Sequence, residues 1–338
     1  MGSVMNAVAE MAGRTTASMR EEASERLKTQ LRKDLGPPIC KALDERTTTE
    51  VVVNSDGAVW VERFGRGMER EEGVTVTPDQ AMRVMTTTAS LLKMVVNAHN
   101  PIVEGLLPLD GSRFAGSIPP ISTNASFNIR KKPTTIFTLE EYVASGTMTA
   151  EQMDAIHRAV DARLNILVIG GTGSGKTTLL NAILDAVARR TPLDRIVMIQ
   201  DTDEVQCKAP NVESFISTKD FDMTYLLRHT MRRSPGRIVV GEVRGPEAHV
   251  LVKAWGTGHP GGAGTVHADS AEDGLPRIED LIEEDPGKRA RPWSLAKAIN
   301  VLVYIEKETD GQRRRLVKKV LKVTGYDRNN SKYLFEAM

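Results

Sequence analysis

The sequence predicts an α/β protein with a mainly parallel sheet, preceded by a smaller α+β domain. In the second half of the chain, short apolar strands alternate with segments of helical periodicity, which is typical of parallel strands covered by helices on both faces. In the first half, two β-rich runs flank a turn, and a capped helix follows them. The chain has 338 residues and exceeds the usual size of one compact core, so we expect two domains.

Composition excludes several classes of protein. The 45 basic and 44 acidic residues nearly cancel, which disfavours a surface built to coat nucleic acid or anionic lipid. Cys40 and Cys207 lie far apart without metal-ligand neighbours and indicate packing in a reducing compartment. No apolar run approaches the roughly 20 residues that span a bilayer, and the N-terminus lacks a signal-peptide core. We therefore expect a cytoplasmic protein that reaches a membrane, if at all, through partners.

Shifts in composition predict the domain boundaries. A flexible N-terminus is expected over residues 1–20, followed by the α+β domain over 21–131 and a linker over 132–138. The parallel-sheet domain then occupies residues 139–338.

Local signals predict the elements of the first domain. Residues 15–45 carry apolar side chains at four-residue steps, which favours an amphipathic helix or a helix pair broken at residues 37–38, both prolines. Residues 50–62 predict a hairpin. Thr77 begins an N-cap and capping-box pattern for a helix that ends near Asn97.

In the second domain, capping boxes at Thr138/Glu141 and Thr149/Gln152 predict two helices before the first strand. Later strands are predicted at residues 195–200, 237–241, 263–266 and 301–305. Residues 313–324 alternate basic and apolar residues like an edge strand. Their charge either protects that edge from aggregation or marks a nucleic-acid surface, and the first interpretation is preferred.

The most informative segment is 165–184, where an apolar strand feeds a glycine loop that opens directly into a helix. The pattern Gly170-x-x-x-x-Gly175-Lys176-Thr177 lets backbone N–H groups converge on the phosphates of a nucleotide at the positive end of that helix. Lys176 would reach the β- and γ-phosphates, and Thr177 would offer a hydroxyl to Mg²⁺. The predicted phosphate-binding residues are Gly171, Thr172, Gly173, Ser174, Gly175, Lys176, Thr177 and Thr178.

Two acidic motifs follow later strands. Glu242 ends the apolar run from Ile238, a position from which a carboxylate holds Mg²⁺ or orients the attacking water. Asp201, Asp203 and Glu204 lie just beyond another strand, and at least one of them could polarise a hydrolytic water. The alternative for both motifs is a solvated acidic loop.

Histidines and arginines surround these motifs. His259 and His267 flank a glycine-rich segment over residues 256–268, where an imidazole could sense the γ-phosphate or serve a structural role. The dense glycines would permit close approach of the backbone to a ligand. The arginines that bracket the Glu242 strand are Arg228, Arg232, Arg233, Arg237 and Arg244, of which one or two could stabilise phosphate charge in the same or a neighbouring subunit.

In this order, the glycine loop, the acidic motif, the strand ending in Glu242 and the histidine segment resemble those of the secretion and traffic ATPases. Within that superfamily, residues 35–43 and 254–262 are similar to the TrbB-type conjugal-transfer ATPases. The resemblance covers nearly the whole chain. It implies a RecA-like P-loop NTPase domain and a hexameric motor of type IV secretion that uses ATP and Mg²⁺.

The resemblance also implies roles for individual residues. Lys176 and Thr177 would bind phosphate and metal, Glu242 would be the strand-end catalytic carboxylate and a metal ligand, and Glu204 would be the acidic-box carboxylate. His267 would belong to the histidine box, and Arg232 would match the arginine before the Walker B strand. The N-terminal domain of such motors contributes arginines, which match Arg113 and Arg130, both in a predicted interdomain loop. The chain departs from its relatives at Gln200, where Glu is common, and at Gly236, where Asp is usual.

The function expected from the sequence is Mg²⁺-dependent ATP hydrolysis by a homo-hexamer at the cytoplasmic face of the inner membrane, in conjugative type IV secretion. The implied partners are inner-membrane secretion components and coupling ATPases, with peripheral membrane association possible and no direct nucleic-acid binding expected. The alternatives are a hexameric nucleic-acid translocase, a small-molecule kinase and an ATP-gated docking platform. An aromatic content of 4% weighs against the stacking surface that a translocase needs.

Overall fold

The structure is a computed structural model that describes residues 2–63, 67–132, 136–218, 220–308 and 315–338, with residues 2–20 and 67 described by their backbone alone. The chain divides into two compact units, residues 1–134 and residues 135–338, here called unit 1 and unit 2. The central residues of the predicted linker, 133–135, lie outside the described residues, so the bounds of that linker stay a prediction.

The described part of unit 1 contains two helices and six strands. In chain order they are α1 (Gly2–Asp44), β1 (Thr48–Val53), β2 (Ala58–Arg63), β3 (Gly67–Thr75), α2 (Pro78–Leu91), β4 (Ile102–Leu106), β5 (Arg113–Ser117) and β6 (Ser126–Arg130). The strands pair in the order β3-β2-β1-β6-β5-β4, and each neighbouring pair is antiparallel.

Helix α1 is interrupted at Gly36, where φ is 78°. That left-handed conformation suits glycine, and the two prolines that follow cannot continue the hydrogen-bond pattern of the first segment. The predicted break is therefore confirmed, one residue before Pro37. The helix already includes the segment 1–20 from Gly2 onwards, and the flexibility of that segment stays a prediction.

The core of unit 1 lies between the sheet and helices α1 and α2. Leu31 and Leu35 pack with inward-facing strand residues such as Val51, Val61 and Ile129, all of which are buried. The predicted hairpin is confirmed as the antiparallel pair β1 and β2. The polar residues that alternate with the core positions lie on the opposite face of the sheet.

Helix α2 begins as predicted and ends earlier than predicted. The Thr77 hydroxyl accepts a hydrogen bond from the backbone N–H of Gln80, which satisfies one of the free donors of the first turn. The helix ends at Leu91 rather than near Asn97. Lys93 has a φ of 57°, and this left-handed residue prevents continuation of the helix.

The described part of unit 2 contains seven helices and eight strands. They are α3 (Leu139–Ala144), α4 (Ala150–Asp161), β7 (Ile166–Ile169), α5 (Lys176–Arg190), β8 (Ile196–Gln200), β9 (Val212–Ile216), α6 (Met223–Thr230), β10 (Arg237–Val243), α7 (Glu247–Gly256), β11 (Ala263–Val266), α8 (Gly274–Glu283), α9 (Pro292–Ala298), β12 (Val301–Lys307), β13 (Arg315–Asp327) and β14 (Lys332–Ala337).

The sheet of unit 2 is mainly parallel, as predicted. Its strand order is β14-β13-β12-β7-β11-β10-β8-β9, and the pairs from β12 through β9 are parallel. Alternate residues of β7 face opposite sides, so Val168 joins one buried cluster and Leu167 joins another. Helices therefore cover both faces of the sheet.

Both predicted capping boxes are present at the start of unit 2. Thr138 and Glu141 exchange side-chain and backbone hydrogen bonds, and Thr149 and Gln152 do the same. The amide of Gln152 also donates a 2.9 Å hydrogen bond to the carbonyl of Val317 in β13. The start of α4 is therefore fixed to a strand far away in the sequence.

The prediction of an edge strand over residues 313–324 is wrong. Strand β13 pairs with β12 on one side and with β14 on the other, so β14 covers the edge that β13 was expected to form. Residues 313 and 314 lie outside the described residues. The lysines of β13, Lys318, Lys319 and Lys322, are exposed, whereas Arg315 is half-buried.

Candidate functional site

The glycine loop lies at the carboxyl end of β7. Strand β7 ends at Ile169 and α5 begins at Lys176, with Gly175 as a left-handed N-cap whose φ is 98°. A Cβ atom built at Gly171 or Gly173 would meet no atom within 4 Å. The backbone on this side of the loop is therefore open to a ligand, as an anion site at a helix N-terminus requires.

Strands β12 and β13 support the other side of the loop. A Cβ atom at Gly170 would lie 2.2 Å from the carbonyl oxygen of Ile305, so only glycine fits there. Arg315 Nε donates a 3.1 Å hydrogen bond to the carbonyl of Gly173. No sequence pattern indicated this contact, because Arg315 lies 142 residues beyond Gly173 and the basic residues around it are typical of a surface strand.

Three predicted side chains converge at the carboxyl ends of β7, β10 and β11. Lys176 Nζ lies 3.2 Å from Nδ1 and 3.1 Å from Nε2 of His267, and it donates a 2.9 Å hydrogen bond to the carbonyl of Gly171. His267 Nε2 lies 2.9 Å from Glu242 Oε1. The pair is not aligned as a hydrogen bond, so Oε1 is a buried acceptor without a hydrogen-bond donor among the described residues.

The electrostatics of this group follow from burial and close charges. Burial lowers the pKa of His267, and the positive charge of Lys176 lowers it further, so the imidazole is neutral near pH 7. Burial alone would raise the pKa of Glu242. The hydrogen bond and charge of Arg244, with the charge of Lys176 and that of His267 in its protonated form at acidic pH, outweigh that effect and lower the pKa. Glu242 is therefore an ionised carboxylate over the neutral range.

Arg244 joins two of the predicted carboxylates. Its Nη1 lies 2.6 Å from Asp201 Oδ2 and its Nη2 lies 2.6 Å from Glu242 Oε2. Asp201 follows β8 and Glu242 lies in β10, and these strands are parallel neighbours. The guanidinium therefore links the ends of two strands beside the glycine loop.

Gln200 shapes the acidic turn that follows β8. Its Oε1 accepts hydrogen bonds from the backbone N–H groups of Glu204 and Val205, and its Nε2 donates to the hydroxyl of Ser214. Glu204 is half-buried in this turn, with its carbonyl accepting from Asn181. An amide can donate and accept at once, so Gln200 fills a structural position in this chain.

The glycine-rich segment has a packing explanation that the sequence did not reveal. A Cβ atom at Gly262 would lie 2.1 Å from Nε1 of Trp255, and one at Gly261 would lie 2.6 Å from Nη1 of Arg237. These glycines make room for buried side chains. His259 precedes β11, whereas His267 follows it, so His259 lies at the sheet edge opposite the glycine loop and does not join the site.

Comparison with known proteins gives the family. A model of the type II/IV secretion system proteins matches residues 32–321. The chain belongs to the type II/IV secretion system protein family. It is 41% identical over 305 residues to the conjugal transfer protein TrbB of Rhizobium radiobacter, covering 90% of this chain and 92% of that one. It is 31% identical over 311 residues to the type IV secretion system protein PtlH of Bordetella pertussis, covering 81% and 90%.

A solved structure shares the fold of this secretion-family chain. The ATPase DotB of Legionella pneumophila superposes with a TM-score of 0.60 at 18% identity, covering 86% of this chain and 80% of that one. In the part of the chain that the structure describes, no helix is both long and apolar enough to cross a membrane.

Arg232 lies apart from the converged side chains of this secretion-family chain. It is exposed and follows α6, and the next residue, Arg233, accepts a hydrogen bond from Arg195 just before β8. These residues lie at the edge of the sheet where the parallel strands begin, whereas the glycine loop lies at the edge where they end. The seven residues of β10 separate the two edges by about 20 Å. Arg232 therefore does not reach the glycine loop of its own chain.

Arg113 and Arg130 lie on strands, and their prediction in an interdomain loop is wrong. Arg113 begins β5, Arg130 ends β6, and the two are direct partners across this antiparallel pair. Directly opposed residues project from the same face of a sheet. On its other side Arg130 directly opposes Glu50 of β1, so both a guanidinium and a carboxylate side chain adjoin it.

The residues beside the loop fit a nucleotide and Mg²⁺. The hydroxyl of Ser174 and Oε1 of Glu242 are buried acceptors without hydrogen-bond partners in the described chain. A cavity of about 480 Å³ opens beside Thr172 and His267. The described residues hold no cluster of three or more metal-binding acidic, histidine or cysteine side chains, and Mg²⁺ in nucleotide sites is bound mainly by phosphates and one or two protein oxygens.

Proposed function

We propose that the chain is a Mg²⁺-dependent ATPase that assembles as a hexameric ring and powers conjugative type IV secretion at the cytoplasmic face of the inner membrane. The supporting observation is that Lys176, His267 and Glu242 meet at one edge of the parallel sheet. They lie beside a glycine loop whose open side has no neighbouring atom within 4 Å of a Cβ atom built at Gly171 or Gly173. Membership of the secretion family supports the cellular role.

Each residue of the loop and its neighbours has a proposed role. Mg²⁺, when bound, neutralises charge on the phosphates. The N–H groups of the loop from Gly171 to Thr178 bind the phosphates, and the ammonium of Lys176 leaves its own loop carbonyl to bind them too. The hydroxyl of Thr177 binds the metal. Glu242 holds the metal or the attacking water through its buried Oε1, and Glu204 helps to polarise that water.

We also propose roles for His267 and three arginines. Neutral His267 contacts both Lys176 and Glu242, so it can report a γ-phosphate that displaces it. Arg113 and Arg130 bind phosphate as an opposed pair. Arg232 serves a neighbouring subunit, because its own chain places it at the far edge of the sheet.

The nucleic-acid translocase is the weaker alternative. Two lysines of β13 that would form its basic surface are paired with carboxylates, Lys318 with Glu308 and Lys319 with Glu272. Paired lysines release fewer counterions on binding a phosphate backbone. Strong, salt-sensitive stimulation of ATP turnover by single-stranded DNA would nevertheless favour this function.

The test compares Lys176→Ala and Glu242→Gln with the wild type in phosphate release and in binding of a fluorescent ATP analogue with Mg²⁺. We expect the wild-type protein to release phosphate from ATP without any added phosphate acceptor. Lys176→Ala should abolish turnover and weaken binding, because the phosphates lose their cation. Glu242→Gln should bind the analogue with wild-type affinity and hydrolyse at least about a hundredfold more slowly.

Wild-type turnover in either variant would refute the role of that residue. Tight binding by the wild type, with turnover far below one per minute even with membranes and secretion partners, would instead support an ATP-gated docking platform. Phosphate transfer that requires an added acceptor would support a kinase.

A further inference from the structure

Arg244 has no role in the proposed reaction, although it bridges two carboxylates beside the glycine loop. Its two terminal nitrogens each contact a different carboxylate at 2.6 Å, Asp201 on one side and Glu242 on the other. The Glu242 side chain is 13% exposed, whereas that of Asp201 is 34% exposed. Arg244 therefore connects a largely buried carboxylate of the site with one at the surface.

The backbone at Arg244 is itself fixed. Oε1 of Glu247 accepts hydrogen bonds from the N–H groups of Arg244, at 2.7 Å, and Gly245, at 3.0 Å. Glu247 is buried in the first turn of α7. The connection between β10 and α7 is thus held rigid at the residue from which the guanidinium reaches out.

The carboxylate of Glu242 has two oxygens in different surroundings. Oε2 accepts from Arg244, and Oε1 faces His267 without an aligned donor. A hydrogen bond to only one oxygen fixes the plane of the carboxylate and leaves the other oxygen for a ligand. Apart from Arg244, the positive charges that act on Glu242 are those of Lys176 and of protonated His267, and the proposed function requires Lys176 for phosphate.

We propose that Arg244, anchored by Asp201, is a positioning residue that orients Glu242 for ATP hydrolysis. The inference rests on the proposed function, because it assigns a part in that same reaction. Arg244 acts through Glu242 and not through contact with the nucleotide. Asp201 acts one step further away, by holding the guanidinium in place.

The experiment measures steady-state ATP hydrolysis by the full chain and its variants. Arg244→Gln should lower kcat by about tenfold to a hundredfold and change KM by less than about threefold, because substrate contacts are kept. Arg244→Lys should recover part of kcat, since it keeps the charge but can make only one of the two contacts. Arg289→Gln, which removes an exposed charge from a loop, should behave like the wild type.

Asp201→Asn tests the anchor. Alone it should lower kcat less than Arg244→Gln does, and in the double variant it should add no further loss, because the two residues act as one unit. A purely structural role would instead lower the melting temperature together with kcat, since contacting residues are coupled in stability as well, and would give no rescue by lysine. Circular dichroism and melting temperature should match the wild type in all variants.

The outcomes separate the inference from the proposed function. Normal kcat in Arg244→Gln, together with the expected defects of Lys176→Ala and Glu242→Gln, would overturn the inference alone. Loss of nucleotide binding in Arg244→Gln would also overturn it, because Arg244 would then contact the substrate directly. A wild-type chain without ATP turnover would overturn the proposed function and the inference together.

Discussion

Gly170 and Gly171 are neighbours in the sequence but lie in different surroundings. A side chain at Gly170 would overlap the carbonyl of Ile305 in β12, whereas one at Gly171 would project into open space. The absence of a side chain therefore has a different structural reason at each of the two positions. Gly170 allows the close packing of two strands, and Gly171 lies on the side of the loop that faces a ligand.

We predict that Gly170→Ala destabilises unit 2 by about 1–3 kcal/mol, because the added methyl group forces the loop away from β12. Urea unfolding followed by circular dichroism measures this difference. Gly171→Ala is the matched control and should unfold like the wild type. Equal stability of the two variants would show that the loop shifts freely and that Ile305 does not support it.

The sequence predicted the individual residues of the site better than their connections. The glycine-loop pattern predicted Lys176, the strand end predicted Glu242 and the resemblance predicted His267, and the three side chains meet because strand ends gather at one edge of a parallel sheet; their roles stay a prediction. Arg315 was missed because its contact with the loop depends on the pairing of β12 and β13. No local pattern encodes such a pairing.

At the scale of elements, the segment that leads into β11 shows how packing can imitate a functional motif. The indole of Trp255 donates a 3.2 Å hydrogen bond to the carbonyl of Ile238 in β10, and its ring lies where a side chain at Gly262 would project. The dense glycines were interpreted as a means of approaching a ligand. They instead allow α7 to press its tryptophan against the sheet.

We predict that Gly262→Ala lowers the free energy of unfolding by about 1–3 kcal/mol, because the methyl group would displace the indole of Trp255. Chemical unfolding monitored by tryptophan fluorescence tests this expectation. Gly256→Ala is the control, since its methyl group would lie 3.5 Å from Cβ of Ala298, an ordinary contact. A wild-type midpoint for Gly262→Ala would contradict the packing explanation.

The type and start of an element were predictable where the signal was local, whereas the place of a strand within the sheet was not. The capping boxes at Thr138 and Thr149 marked helix starts correctly, because the cap depends on four consecutive residues. The edge assignment for residues 313–324 failed, because β14 is recognised only through its pairing with β13. Strand β9 has three apolar residues among its five, but none of them is fully buried, and this short strand at the end of the sheet is recognised only through its parallel pairing with β8.

At the scale of the whole molecule, the two units have separate hydrophobic cores. The cluster around Leu31 and Phe114 belongs to unit 1, and the clusters around Val168 and Leu167 belong to unit 2. The sequence indicated two domains from length alone, because one core rarely extends through so many residues. Their arrangement in an assembly depends on surfaces that intrachain patterns do not describe.

We predict that the chain forms the proposed hexameric ring when Mg²⁺ and a non-hydrolysable ATP analogue are present, because a nucleotide bound at the glycine loop would bring Arg232 of a neighbouring copy to it. Light scattering should then report the mass of six copies of the 37.1 kDa chain. Lys176→Ala should remain smaller under the same conditions, since it binds the analogue poorly. A monomer under every condition would contradict a ring formed by this chain alone.

The first residues of β13 form hydrogen bonds with three other segments of unit 2. Val317 donates to the carbonyl of Thr147 and accepts from Gln152, while Arg315 donates to the glycine loop. Local unfolding of this segment would break all three contacts together, so the loop and the start of α4 belong to one cooperative unit. We therefore expect that ordering of the loop by phosphate would also slow local opening at the start of α4, and amide hydrogen exchange of the α4 backbone would measure that coupling.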